Sequence, residues 1–152
     1  MLVSASATKK YATASTDAFG RTGTSTGTTA GTGHRAALSG LAARCPVPAE
    51  VHVDVPVRPK ASVEAVAYFV VAEALTNVAK HSRAHHATVV VEGHGYPGTL
   101  HVVITDDGIG GADADGAGLA GLADRVSGVD GTLSVESPSG GPTVISAVLP
   151  CG

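Results

Sequence analysis

Glu73, Asn77, Lys80 and His81 follow one another at intervals of four, three and one residues. On a helical period of 3.6 residues, Glu73 and Asn77 lie one turn apart, and Lys80 and His81 follow one turn later on nearly the same line. A stripe of carboxylate, amide and ammonium on so apolar a helix should face something polar other than bulk water, for which a bound ligand is the economical candidate; a helix end whose polar residues simply reach solvent is the plainer one. Further along stands a second group, Asp106-Asp107-Gly108-Ile109-Gly110, and then Gly116, Gly118 and Gly121. Gly108 and Gly110 allow close backbone approach to a flat ligand and positive φ. Glycines opening a helix leave N–H groups free for phosphate oxygens. A carboxylate for an exocyclic amine, followed by glycine amides for phosphates, suits a nucleotide. Ordinary Asp-Gly turn chemistry is the plainer reading of the same loop.

These residues need elements to hold them. Ala65 to Ser82 reads as a helix that is apolar on almost every side, with Ala67, Val71, Ala74, Leu75 and Val78 opposite the polar stripe. It begins near Ser62, an N-cap just after Pro59, and ends around Ser82 or Arg83. So little solvated surface implies cover on both sides. A shorter helical pattern runs from His34 to Arg44, with Leu38 and Leu41 on one face, and Pro46 and Pro48 stop it. Val51, Val53, Val55 and Val57 alternate with polar residues and Pro56, which reads as an edge strand. Ala87 to Glu92 and Thr99 to Thr105 read as an antiparallel pair across HGYPG. Leu119, Leu122, Val126 and Val129 mark a short amphipathic helix closed by Gly131 as its C-cap. Thr132 to Glu136 and Thr143 to Leu149 form a hairpin around SPSGGP. The sum is an α/β two-layer sandwich: a mixed sheet of about five strands, helices on one face and the other face wet.

The first 33 residues are dominated by Ser, Thr, Gly and Ala, without period or apolar bulk, and read as a disordered or low-complexity tail. Residues 34–152 are then one domain. A net charge of −3 gives no electrostatic reason to expect nucleic acid or an anionic membrane. Cys45 and Cys151 have no metal-like spacing and read as reduced thiols. No apolar run in the sequence reads as long enough to span a bilayer, and the N-terminus lacks the apolar stretch of a secretory signal. The expectation is a cytoplasmic domain without direct membrane contact.

Two competing patterns fail on context. Gly116-Ala-Gly118-Leu-Ala-Gly121 matches the dinucleotide fingerprint, with Glu136 downstream. That fingerprint needs a strand directly before its first glycine, and here the Asp-Gly segment intervenes. His81, His85 and His86 can be drawn as a metal site, but no Cys or carboxylate completes a set.

The boxes together carry a family resemblance. Glu73-Ala-Leu-Thr-Asn77-Val-Ala-Lys80-His81 resembles the asparagine box of the ATPase superfamily of gyrase, heat-shock chaperones, mismatch-repair proteins and histidine kinases. Asp106-Asp107-Gly108-Ile109-Gly110 resembles its first glycine box. Gly116-Ala-Gly118-Leu119-Ala-Gly121-Leu122 resembles its second, and Gly140-Gly141-Pro142-Thr143-Val144 its terminal hairpin. The combination, from about Leu38 to Gly152, is most similar to the ATP-binding domain of sensor histidine kinases of the nitrate-sensor and desaturase-regulator type.

The resemblance implies a Bergerat-type ATP-binding fold with ATP between the long helix and the glycine loop. It implies Asn77 as the Mg²⁺ ligand and Glu73 as the catalytic carboxylate near the γ-phosphate, with Lys80 and His81 beside the phosphates. Asp106 would accept the adenine amino group, and Gly108 and Gly110 would shape the adenine wall. Gly118, Leu119 and Gly121 would meet the phosphates as part of a lid. Thr143 would lie near the adenine, although Pro142 occupies the position where the family often has Thr. The implied partners are a histidine-bearing dimerisation segment and a response regulator. Residues 1–33 show no amphipathic dimerisation helices, and His34 lacks the acidic neighbour of a phosphoacceptor. An anti-sigma-type serine kinase and a nucleotide-binding module without transfer activity are the alternatives.

Overall fold

The computed structural model describes residues 32–95 and 97–152. Residues 1–31, which hold nearly all of the low-complexity stretch, lie outside the described residues. Among the described residues, three α-helices and five strands follow in the order α1 (Thr32–Arg44), β1 (Ala49–Asp54), α2 (Ala61–Asn77), β2 (Ala87–Gly95), β3 (Gly98–Asp106), α3 (Ala117–Ser127), β4 (Thr132–Glu136) and β5 (Thr143–Pro150). A π-helical turn, Val78–Ser82, continues α2 without a break.

The strands form one sheet in the order β1-β2-β3-β5-β4. β1 runs parallel to β2, and the remaining pairs are antiparallel. The register lays apolar residues out in rows across all five strands. Val53, Val91, Val102, Ala147 and Leu133 form one row, and Val51, Val89, Ile104, Ile145 and Val135 the next. With a side-chain period of two, both rows face the same way. Val63, Val66, Val70, Val71, Ala74, Leu75 and Val78 of the long helix pack with them, as do Leu119, Leu122 and Val126 of α3. The opposite sheet face carries Glu50, His52, Glu92, Ser134 and Glu136, all exposed or half-exposed.

The next position along the same sheet face matters most. Ala49 pairs with Ala87, Ala87 with Asp106, and Asp106 with Thr143. The alternation Leu100, Val102, Ile104 therefore ends on a carboxylate that points to the helix side. Asp106 and Thr143 are buried there, beside Ser82.

Several boundaries differ from the sequence expectation, each for a local reason. The long helix opens at Ala61, with Lys60 rather than Ser62 as N-cap. Its first turn closes when Glu64 N–H donates to the Lys60 carbonyl at 3.0 Å. β1 ends at Asp54, before Val55 and Val57, because Pro56 has no N–H to give the ladder. α3 ends at Ser127 with Gly128 as C-cap. The left-handed residue beyond it is Asp130, at φ 57°, not Gly131. Gly131 answers to crowding instead, since a Cβ there would lie 2.8 Å from Leu149 Cδ2. By length and composition the 22 residues Ala61–Ser82 would suffice to cross a bilayer. That amends the sequence estimate, and the packing of this segment on the sheet makes it the core helix.

Candidate functional site

A cavity of about 380 Å³ opens between the end of the long helix, the Asp-Gly loop and the start of α3. Its lining includes Glu73, Asn77, Lys80 and His81 from the helix, Asp106 and Thr143 from the sheet, and Gly110, Gly118 and Leu119 from the glycine segments. Nine of the eleven residues to which the resemblance gave a role thus share one hollow, and Gly116 lines it as well. The other two do not line it. Gly108 lies behind the wall, and Gly121 stands inside α3 with open space around it.

The long helix reaches the cavity through its π-helical turn. Such a turn admits an extra residue per cycle and is frequent at functional sites. Ser82 holds it. Its hydroxyl donates to the Val78 carbonyl at 2.8 Å and accepts from Ala84 N–H at 3.0 Å. Arg83 then turns the chain through a left-handed φ of 51°. The following segment is fastened to the Asp-Gly loop. Ile109 N–H donates to the Ser82 carbonyl at 2.8 Å. Asp107 Oδ1 accepts from His85 N–H at 2.8 Å and from His86 N–H at 2.9 Å. These two bonds hold the Asp107 carboxyl below its ordinary value.

Close approach explains Gly108. Its φ is not left-handed, contrary to the sequence expectation, but a Cβ there would stand 2.2 Å from the Ser82 carbonyl oxygen. Gly110 does take a left-handed φ, 65°, and its Cβ would meet the Pro138 carbonyl oxygen at 1.9 Å. The Asp-Gly loop is thereby laid against the β4–β5 connection. Ser137 Oγ accepts from Ala112 N–H at 2.9 Å and shares a hydrogen bond of 2.7 Å with Thr143 Oγ1. Asp106 Oδ1 accepts from Gly108 N–H at 2.8 Å. Burial pushes the Asp106 carboxyl above its ordinary value, and the N–H groups of Gly108 and Thr143 oppose that push.

Asn77 is half-buried, and its Nδ2 has no hydrogen-bond partner among the described residues. An unpaired buried amide is costly unless something polar meets it. The amide group therefore suits a polar ligand, and its oxygen can serve a hard cation. Among the described residues no group of three or more His, Cys, Asp or Glu could hold a metal by itself. A cation here would draw its remaining ligands from water and phosphate, as Mg²⁺ commonly does. His34, considered as a phosphoacceptor, lies in α1, where its Nε2 is 2.6 Å from Glu64 Oε1, and it does not line the cavity.

Sequence reasoning passed over Thr76, Ser82, Gly111, Ala112 and Asp113, which also line the cavity. Ser82 carried a signal, because it directly follows the polar stripe and stands where the helix must stop. The others are placed by loop geometry that no spacing encodes.

Residues 62–152 match the model of the histidine kinase-, DNA gyrase B- and HSP90-like ATPase family. A signal transduction histidine-protein kinase/phosphatase of Salmonella typhimurium, UhpB, is 38% identical over 81 residues, covering 51% of this chain and 15% of the relative. The sensor histidine kinase YxjM of Bacillus subtilis is 40% identical over 76 residues, covering 48% of this chain and 18% of the relative. The match thus spans less than a fifth of either relative. The histidine kinase domain of a blue-light activated kinase from Erythrobacter litoralis superposes with a TM-score of 0.59 at 21% identity, covering 77% of this chain and 61% of that one. A mycobacterial sensor histidine kinase, MprB, gives a TM-score of 0.53 at 24% identity, covering 77% and 92%. At those identities the two structures speak for the fold.

Proposed function

Because the chain belongs to the histidine kinase-, DNA gyrase B- and HSP90-like ATPase family, we propose that residues 34–152 are the Mg-ATP-binding catalytic domain of a sensor histidine kinase. It passes the γ-phosphoryl group of ATP to a histidine on a partner dimerisation helix, from which a response regulator receives it. The observation that carries this reading is the meeting of Asn77 and Asp106 in one cavity. They grip the two ends of one nucleotide.

Asp106 accepts a hydrogen bond from the adenine amino group, and Thr143 and Gly110 line the same end. Asn77 offers its amide oxygen to Mg²⁺, with Glu73 one turn away. The metal, when bound, neutralises phosphate charge. Lys80 and His81 lie beside the phosphates, and Gly118 and Leu119 close over them. Phosphoryl transfer asks mainly for positioning and charge stabilisation. In the transfer itself the bond from the γ-phosphorus to its bridging oxygen breaks, a P–N bond to the acceptor imidazole forms, and ADP leaves. Glu73 orients the acceptor ring and takes up its proton. ATP places this work in the cytoplasm.

The chain incubated with γ-labelled ATP, Mg²⁺ and a donated histidine-bearing dimerisation segment should give acid-labile label on that segment. Acid-stable label on serine would point to an anti-sigma-type kinase, and binding without transfer to a nucleotide-binding module. Either outcome would overturn the proposal.

A further inference from the structure

Glu73 and Gly118 come from different helices and line one cavity. A Cβ on Gly118 would stand 2.1 Å from Glu73 Oε1, 3.1 Å from its Cδ and 3.8 Å from its Cγ. The Glu73 carboxylate thus occupies the space that any side chain at 118 would need. Nothing in the backbone of Gly118 asks for glycine. It lies in the first turn of α3 without a left-handed φ, where alanine is the better helix former. Gly121, in the same helix, has among the described residues no atom from beyond its chain neighbours and the surrounding helix backbone within 4 Å of where its Cβ would be. The two glycines therefore differ: one is crowded by a single carboxylate, the other by nothing. The first turn of α3 also lacks a side-chain cap and an acid of its own. The N–H groups of a helix's first turn have no partner within the helix and favour a carboxylate beside them.

We propose that Gly118 is a positioning residue for Glu73. Its missing side chain is the recess that seats the Glu73 carboxylate against the first turn of α3, one helical turn before Asn77. The inference assigns Gly118 a task beyond contact with phosphate, and it rests on the proposed function only for the second test below. The crowding atom is the far end of a flexible side chain. A methyl group at 118 therefore moves the carboxylate and leaves the helix folded.

The first test needs no nucleotide. The side-chain carboxyl ¹³C resonance of Glu73, assigned by its loss in Glu73→Gln, should shift in Gly118→Ala and stay in place in Gly121→Ala. An unmoved resonance in Gly118→Ala overturns the inference. The second uses ATP, Mg²⁺ and the donated histidine segment. Gly118→Ala should lower kcat at saturating ATP on the order of a hundredfold, the usual worth of a positioned proton acceptor, with little change in KM. In a Glu73→Ala background the same change should cost nothing further. An equal loss in both backgrounds would give Gly118 a contact of its own and end the positioning role. If the parent itself transfers no phosphoryl group, the proposed function falls, while the resonance still decides this inference.

Discussion

Folding places Asp106 where ionisation is uncomfortable. Burial raises its pKa, the Gly108 N–H lowers it, the Asp107 charge raises it again and the Thr143 N–H lowers it, with the rise prevailing. A raised carboxyl pKa means the folded chain gains nothing from the charge and is relieved of it as pH falls, so acidification at this position does not unfold the protein. It removes the acceptor instead. ATP affinity should therefore fall as pH drops from neutrality through a point above the usual carboxylate range, and the fall should vanish in Asp106→Asn. At neutral pH that variant should bind ATP about ten- to a hundredfold more weakly, the loss of a charged hydrogen bond of about 1.5–3 kcal/mol. Calorimetry at several pH values reads both effects. Asn77→Ala should abolish the dependence of binding on Mg²⁺, and a parent-like Mg²⁺ titration would remove the metal role. That these side chains share one cavity was legible because each proposed role needs a distinct residue type at a distinct helical or strand spacing. Gly108 was only half legible: its glycine was visible, but the reason, the Ser82 carbonyl at 2.2 Å from a would-be Cβ, depends on a contact between distant segments.

Among elements, the π-helical turn and the segment after it are tied to the Asp-Gly loop, Ser82 to Ile109 and His85 and His86 to Asp107. Asp107 is exposed and its carboxyl is held low by the His86 and His85 N–H groups. A lowered carboxyl pKa contributes stability that is present above the unfolded value and lost as pH falls through the folded one. Hydrogen exchange at His85 and His86 should therefore quicken only below the ordinary carboxylate range, and Asp107→Ala should quicken it at neutral pH. Gly108→Ala must shift backbone and should cost about 1–3 kcal/mol of stability. Gly121→Ala should instead stabilise by about 0.5–1 kcal/mol, the helical preference for alanine over glycine. Denaturant melts of the two variants should move in opposite directions. The amphipathic pattern of α3 showed its apolar face correctly, yet its end was misplaced by a few residues, because the chain turns at Asp130 rather than at the glycine beside it. The π-helical turn was not legible, since a period of 3.6 and a single wider turn place the same residues within reach of the cavity.

At the scale of the molecule, the two-layer arrangement was readable from alternation alone. Apolar residues at every second position of β2 (Val89, Val91), β3 (Leu100, Val102, Ile104) and β5 (Ile145, Ala147, Leu149) fix a single buried face, and the register repeats it across β1 and β4. Leu149 is fully buried in that face, so Leu149→Ala should cost about 2–5 kcal/mol, measured by denaturant unfolding. What the sequence could not supply was the distance over which the parts of the site meet. Asp106 and Asn77 are brought to one hollow only because the sheet row that ends in Asp106 runs beneath the end of the long helix. A single calorimetric titration with ATP, repeated with and without Mg²⁺, asks whether that hollow holds one nucleotide by both ends. A single site that tightens with Mg²⁺ and weakens with Asp106→Asn and Asn77→Ala is the expected result. No heat of binding, or binding indifferent to both substitutions, would contradict it.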